Sequence, residues 1–305
     1  MAPAHPLHGL TAATHTPFHR DGSLNLSVIE AQAAHLLRAG VATVFIGGST
    51  GESTSLSLEE RRALAQRWSE VVRGTKMRMV VHVGANCLAD ARVLAAQAET
   101  LDAIAISALA PSYFKPRSVD ALIACCAEIA SAAPATPFYF YDIPVLTGVS
   151  LSMTEFLDQA PEKLPSLAGL KFTNPDLMTY LQCLEAGEGR WDVPWGIDEW
   201  LLGALATGAQ GAVGSSFNFA APLYHGLIAS FQGGDLGAAR AAQLKSTRLI
   251  SLLARYGYMG AAKAVMAMLG VDVGPARLPN ASLTPEQITS LRGELETLGF
   301  FDWLK

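Results

Sequence analysis

Charge is scarce in this chain. Lys and Arg number 22 and Asp and Glu 27 among 305 residues, 16% together, for a formal net charge of −5. No basic stripe and no interleaving of aromatic with basic residues occurs, so nucleic acid is not an expected partner. Cysteine is sparse too. Cys87, Cys125, Cys126 and Cys183 fit neither a zinc spacing nor a disulfide scaffold, which points to a reducing cytoplasm. The N-terminus lacks a basic segment followed by an apolar run, so no secretory signal is expected. Residues 200–234 contain no Asp, Glu, Lys or Arg, as membrane spans often do. Gly, Ser, Gln, Asn, His and Pro interrupt them throughout, however. A buried strand flanked by two packed helices is the expectation there, not a membrane segment.

Two further absences concern cofactors. Neither Gly-x-Gly-x-x-Gly nor Gly-x-x-x-x-Gly-Lys occurs between a strand and a helix, which removes the usual nucleotide-binding turn. The seven histidines include no His-x-His. His15 and His19 flank the end of the first apolar run and His82 lies in the third, but no matching set of His and Asp ligands accompanies them. No metal and no other cofactor is therefore expected.

Hydrophobic residues make up 50% of the chain, enough to build one large barrel or two ordinary domains. Short apolar runs recur at Leu10–Thr16, Val41–Gly48, Met77–Gly84, Ala103–Leu109, Pro137–Ile143, Leu167–Thr173, Val193–Asp198 and Gly211–Ser216. Between them lie amphipathic stretches such as Ser27–Ala39, Ser57–Val72, Leu88–Thr100 and Ser118–Ala132, with Ser57 and Ser118 placed as N-caps. Strands with little polar alternation are buried on both faces, as in a parallel sheet. Eight such runs at roughly 30-residue spacing predict an α/β fold, a (β/α)8 barrel over residues 1–233. Residues 234–305 read as a helical extension packed on that barrel, broken at Gly270 and at Gly274-Pro275.

Barrel enzymes carry their chemistry at the C-terminal ends of the strands. Lys171 lies at such an end, in Leu167-Ala-Gly-Leu-Lys-Phe-Thr-Asn-Pro-Asp176. A lone lysine there often snorkels to the surface. Desolvating its ammonium is costly, and that cost is useful where a neutral amine must attack a ketone and form a Schiff base. Gly47-Gly-Ser-Thr-Gly-Glu-Ser53 offers glycines, hydroxyls and N–H groups, but no lysine. Such a loop suits a carboxylate better than a nucleotide phosphate. In Phe138-Tyr-Phe-Tyr-Asp-Ile-Pro144, alternation places Tyr139 and Tyr141 on one face and Phe138 and Phe140 on the other. A phenol facing a Schiff-base lysine can shuttle protons. Gly196-Ile-Asp-Glu199 and Gly214-Ser-Ser-Phe-Asn218 add carboxylates and hydroxyls for a polyhydroxylated ligand.

Gly47-Gly-Ser-Thr-Gly-Glu52, Tyr141-Asp-Ile-Pro144 and Gly169-Leu-Lys171 together resemble the pyruvate-dependent class I aldolases of the dihydrodipicolinate synthase and N-acetylneuraminate lyase superfamily. The resemblance runs from about His8 to about Pro279. It is greater to the lyase branch, in its animal-type form, through residues 132–148, Gly196–Glu199 and Gly274-Pro-Ala-Arg-Leu-Pro279. The synthases carry an arginine where this chain has Leu146. Asp142 stands where Asn or His is common in the family, and Ser216-Phe217 replaces Thr-Tyr.

The resemblance implies cleavage of a 2-keto sugar acid, N-acetylneuraminate, to pyruvate and N-acetylmannosamine. Lys171 would form the Schiff base and Tyr141 would relay the proton. Ser49 and Thr50 would hold the carboxylate. Thr173, Gly196, Asp198, Glu199 and Ser215 would contact the hydroxylated chain. Tyr113, in Pro111-Ser-Tyr-Phe, would reach into a neighbouring subunit's site, which implies a homotetramer. The alternatives are another 2-keto-3-deoxy sugar acid aldolase or dehydratase, a dihydrodipicolinate synthase-like enzyme, and a non-catalytic sugar-acid binder.

Overall fold

The structure, a computed structural model, describes residues 6–304. Residues 1–5 and Lys305, which the two expected units would include, lie outside the described residues. In chain order the strands are β1 (Gly9–Ala13), β2 (Thr43–Ile46), β3 (Arg78–His82), β4 (Ala105–Leu109), β5 (Phe138–Asp142), β6 (Leu167–Phe172) and β7 (Gly211–Gly214). The helices are α1 (Ile29–Arg38), α2 (Leu58–Val72), α3 (Leu88–Thr100), α4 (Val119–Ala130), α5 (Pro144–Thr147), α6 (Met153–Gln159), α7 (Leu177–Gly189), α8 (Leu201–Ala206), α9 (Phe217–Gln232), α10 (Leu236–Arg255), α11 (Tyr258–Met268) and α12 (Pro285–Leu298).

The strands form one sheet in the order β6-β5-β4-β3-β2-β1-β7, and every pairing is parallel. The run Val193–Asp198, expected as a strand, differs from the others. It pairs only through single bridges, from Asp192 to Gly169, from Trp195 to Phe172 and from Trp195 to Ala212. Pro194 accounts for this: proline has no N–H for a ladder. The segment still closes the barrel. Its carbonyls at Asp192 and Pro194 accept from Leu170 and Phe172 of β6, at 3.1 and 3.0 Å. On the other side Trp195 N–H donates to Gly211 O at 2.9 Å, and Val213 N–H donates to Trp195 O at 2.8 Å. The fold is thus a TIM-type barrel with C-terminal helices.

The helices start where the sequence has cap residues. Ser57 and Glu60 form a capping box at α2, and Ser118 accepts from Ala121 N–H at α4. Residues 200–234 contain α8, β7 and α9, a strand between two packed helices. Among the described residues no helix is long and apolar enough to cross a membrane.

Alternation along the strands produces two cores. Phe138 and Phe140 of β5, with Leu170 and Phe172 of β6, join the larger cluster between sheet and helices. Tyr139, Tyr141, Phe45, Val80 and Ala168 fill the barrel interior. The period of two therefore decides which side chains meet inside the barrel, and Lys171, between Leu170 and Phe172, is one of them.

Candidate active site

β5 and β6 set the centre of the site. Their register pairs Tyr141 with Lys171. Both side chains are buried, Lys171 to 4% exposure. The lysine Nζ lies 3.5 Å from the Tyr141 ring centroid and 4.9 Å from that of Phe45. Phe45 and Tyr141 meet edge to face at 5.8 Å. The amine thus lies against two aromatic rings with little access to water, the setting expected of an amine nucleophile.

The loop after β2 closes one side. The Ser49 hydroxyl is 3.4 Å from the Tyr141 hydroxyl, so the loop and the tyrosine share one space. The loop is compact: Glu52 N–H donates to Ser49 O at 3.0 Å, and Ser53 N–H to Gly48 O at 3.2 Å. Ser49 and Thr50 at its turn are half-buried. Support comes from beneath. His82 donates from Nδ1 to Gly47 O at 2.9 Å, and Thr16 donates its hydroxyl to Gly51 O at 2.7 Å. Burial, then the Arg61 guanidinium, holds the His82 pKa well below the ordinary imidazole range, so the ring is neutral. His82 therefore acts as a neutral prop for the loop.

Glu52 ends this loop in the left-handed region, at φ 53°. Its carboxylate pairs with the Lys263 ammonium of α11 at 2.7 Å, with both side chains out of water. Its other oxygen accepts from Arg277 N–H at 2.8 Å. Lys263 also donates to Thr16 O at 3.0 Å and to Pro275 O at 2.8 Å. The C-terminal helices thereby grip the loop that carries Ser49 and Thr50. His15 is buried there as well. Desolvation first, then the Lys263 charge, lowers its pKa to about 3.

The opposite side carries the groups expected to meet a hydroxylated chain. Thr173 follows β6 and is held by its N–H donating to Asp142 O at 2.8 Å. Its hydroxyl is buried without a protein partner. Gly196 packs directly upon it: a Cβ at Gly196 would lie 1.9 Å from Thr173 Oγ1. Asp198 is buried and accepts from Ser216, from its N–H at 2.8 Å and its hydroxyl at 2.6 Å. Desolvation raises the Asp198 carboxyl pKa, against hydrogen bonds from Ser216 and the Lys171 charge, which lower it. Burial and then the neighbouring Asp198 charge raise that of Glu199. Ser215 follows β7 and lies 2.6 Å from the Tyr258 hydroxyl.

Lys171, Tyr141 and Ser49 are therefore brought together. Tyr113 is not among them. It stands on the loop after β4 at 79% exposure, edge to face with Phe114, and its N–H donates to Asn86 Oδ1 at 3.1 Å. Sequence reasoning missed His82 as loop support, the Glu52–Lys263 pair and Tyr258. One signal was available: Lys263 is the single charged residue of α11.

The chain is 38% identical to the N-acetylneuraminate lyase of Rattus norvegicus over 305 residues, covering 99% of this chain and 95% of the relative. The structure superposes on Proteus mirabilis N-acetylneuraminate lyase with a TM-score of 0.94 at 40% identity, covering 97% of this chain and 100% of the other. For the N-acetylneuraminate lyase (sialic acid aldolase) of Aliivibrio salmonicida the TM-score is 0.94 at 41% identity, covering 97% and 98%. The model of the dihydrodipicolinate synthetase family matches residues 6–298, which takes in the barrel, the lysine strand and most of the C-terminal helices, and the chain belongs to that family.

Proposed function

We propose that this chain is a Schiff-base lyase that cleaves N-acetylneuraminate to pyruvate and N-acetylmannosamine. The observation that carries the reading is the buried Lys171 amine, 3.5 Å from the centre of the Tyr141 ring, beside the Ser49 loop. The names of the relatives support the substrate.

The amine of Lys171 attacks the C2 ketone of the open-chain acid, and loss of water leaves a protonated imine. As the C3–C4 bond breaks, Tyr141 relays the C4 hydroxyl proton: the phenol oxygen takes that proton while its own O–H proton passes to the substrate carboxylate, and the same relay then returns a proton to C3. The electron pair of that bond flows into the imine and forms an enamine. Protonation at C3 and hydrolysis release pyruvate and return the free lysine. Ser49 and Thr50 hold the carboxylate, while Thr173, Gly196, Asp198, Glu199 and Ser215 line the path of the sugar chain. The protonated imine is the electron sink for this carbanion chemistry.

Leu146 favours the lyase over a synthase, because it presents no cation to a second carboxylate. Its side chain is exposed on α5. We assign Tyr113 to a contact in a homotetramer, where it would complete a neighbour's site. The exposure of Tyr113 and Phe114 on one loop supports a contact surface there. A cytoplasmic location suits four cysteines that are all free thiols.

The deciding experiment is reduction with borohydride in the presence of pyruvate. A stable mass added at Lys171, and lost in Lys171→Ala, is the expected result. Labelling that persists in Lys171→Ala would remove the Schiff base from the mechanism. A panel of 2-keto-3-deoxy acids then tests the substrate: faster turnover of a six-carbon acid would favour another aldolase. Binding without pyruvate release would favour a non-catalytic binder.

A further inference from the structure

Asp198 and Glu199 are the carboxylates expected to hold the hydroxylated chain of the substrate, yet Asp198 is already engaged. Its Oδ2 takes both the N–H and the hydroxyl of Ser216. Ser216 Oγ in turn lies 2.6 Å from the Tyr224 hydroxyl, which lies 2.8 Å from Ser246 Oγ in α10. The Asp198 carbonyl accepts from Gln243 at 3.3 Å. The other carboxylate oxygen is pressed onto β7, where a Cβ at Gly214 would come within 2.1 Å of it. Asp198 is thus an internal anchor that fixes the turn carrying Glu199.

Tyr258 is differently placed. It begins α11, within the C-terminal helices, and its hydroxyl meets Ser215 Oγ at 2.6 Å. Burial first, then the charge of Asp198 and to a lesser degree that of Glu199, raises its pKa, so the phenol keeps its proton. Lys171 lies near the C-terminal end of β6 and Ser215 just after that of β7 in an all-parallel sheet, and Asp198 binds the adjacent Ser216, so the Ser215–Tyr258 contact lies at the same mouth of the barrel as the lysine. Two hydroxyls joined by one hydrogen bond leave one O–H free. Either oxygen can be the donor, so the pair can give a proton to a ligand hydroxyl or accept one from it.

We infer that Tyr258 is a specificity-determining residue, which binds the polyhydroxylated chain of the sugar acid jointly with Ser215 and Glu199. The inference rests on the sugar-acid lyase reading above. It makes the C-terminal helices part of the substrate site. A polar pair of this kind favours a long hydroxylated substrate and gives nothing to pyruvate, which has no chain to reach it.

The test is Tyr258→Phe, which keeps the ring and removes the hydroxyl, compared with Ser215→Ala and the double variant. The expected result is a ~3–30-fold fall in kcat/KM for N-acetylneuraminate, carried mainly by KM, as for loss of one or two hydrogen bonds. The pyruvate concentration that half-saturates borohydride trapping stays at the wild-type value. The double variant loses less than the product of the two single losses, because the hydroxyls act as one unit. An equal loss in pyruvate trapping and in cleavage, or strictly multiplicative losses, overturns the proposal and leaves Tyr258 a packing residue. If the wild-type protein traps pyruvate but does not cleave N-acetylneuraminate, the substrate reading fails instead. The Tyr258 comparison is then made on the longest acid that the wild type does cleave, with the same two outcomes.

Discussion

Glu52 and Lys263 meet at 2.7 Å across 211 residues of chain, both out of water, and join the loop after β2 to α11. Two buried charges are expensive to desolvate, and removal of one strands the other. Lys263→Met or Glu52→Gln is expected to cost about 3–5 kcal/mol in denaturant unfolding. Glu52→Leu combined with Lys263→Met should recover part of that loss, since neither charge is then left alone. Recovery should be incomplete, because Glu52 also accepts from Arg277 N–H. A single variant as stable as the wild type would show that water reaches the pair.

Tyr141→Phe separates chemistry from imine formation. The phenol lies beside Ser49 at 3.4 Å, a long contact that contributes little to folding. The variant should unfold at the wild-type midpoint. Its kcat for cleavage should fall ~10²–10⁴-fold, the range of a positioned acid–base group. Pyruvate trapping at Lys171 should remain detectable, since the ketone needs only the amine. An unchanged kcat would take Tyr141 out of the proton relay.

Gly196→Ala tests the close approach at the sugar-chain side. The added Cβ would lie 1.9 Å from Thr173 Oγ1 and 3.0 Å from Phe172 O, so the closing segment or Thr173 must shift. A loss of about 1–3 kcal/mol in stability is expected, as for overpacking elsewhere, with a raised KM for the sugar acid. Thr173→Ala in the same chain should relieve the contact with Oγ1 and regain part of the stability. No change in either quantity would mean that Thr173 moves aside freely.

Features with a local physical cause were legible in the sequence. The alternation in Phe138–Asp142 put Tyr139 and Tyr141 on one face, because side chains on a strand alternate whatever surrounds them, and the fold turns that face into the barrel. Ser57 and Ser118 cap their helices through their own backbone neighbours. The Val193–Asp198 run read as a strand because its composition is strand-like, but Pro194 removes a donor and reduces the pairing to bridges. The grip of α11 on the site was not legible. Tyr258 reaches Ser215 across 43 residues and Lys263 reaches Glu52 across 211, and no periodicity links positions so far apart. Tyr113 could be placed on the catalytic face, since it follows β4. The role proposed for it rests on contacts beyond one chain.

Asp142 makes the stability of this fold depend on pH in a direction opposite to that of paired carboxylates. It is buried at the end of β5, beside Tyr141, and accepts from Asn174 Nδ2 at 3.2 Å. Desolvation raises its pKa from 3.8 to about 6, against the Asn174 hydrogen bond, which lowers it. The folded state therefore binds this proton more tightly than the unfolded state. Stability falls as pH rises from about 4 to about 6 and stays lower above that, by on the order of 1–3 kcal/mol. Asp142→Asn removes the charge and keeps an acceptor for Asn174. The variant should be more stable than the wild type at pH 7, and the difference should vanish below about pH 4. Asp192, Asp198 and Glu199 also have raised pKa values, so only the difference between the two proteins reports Asp142. A difference in unfolding free energy that does not vary between pH 4 and 7 would show that Asp142 stays ionised and hydrated in the folded protein.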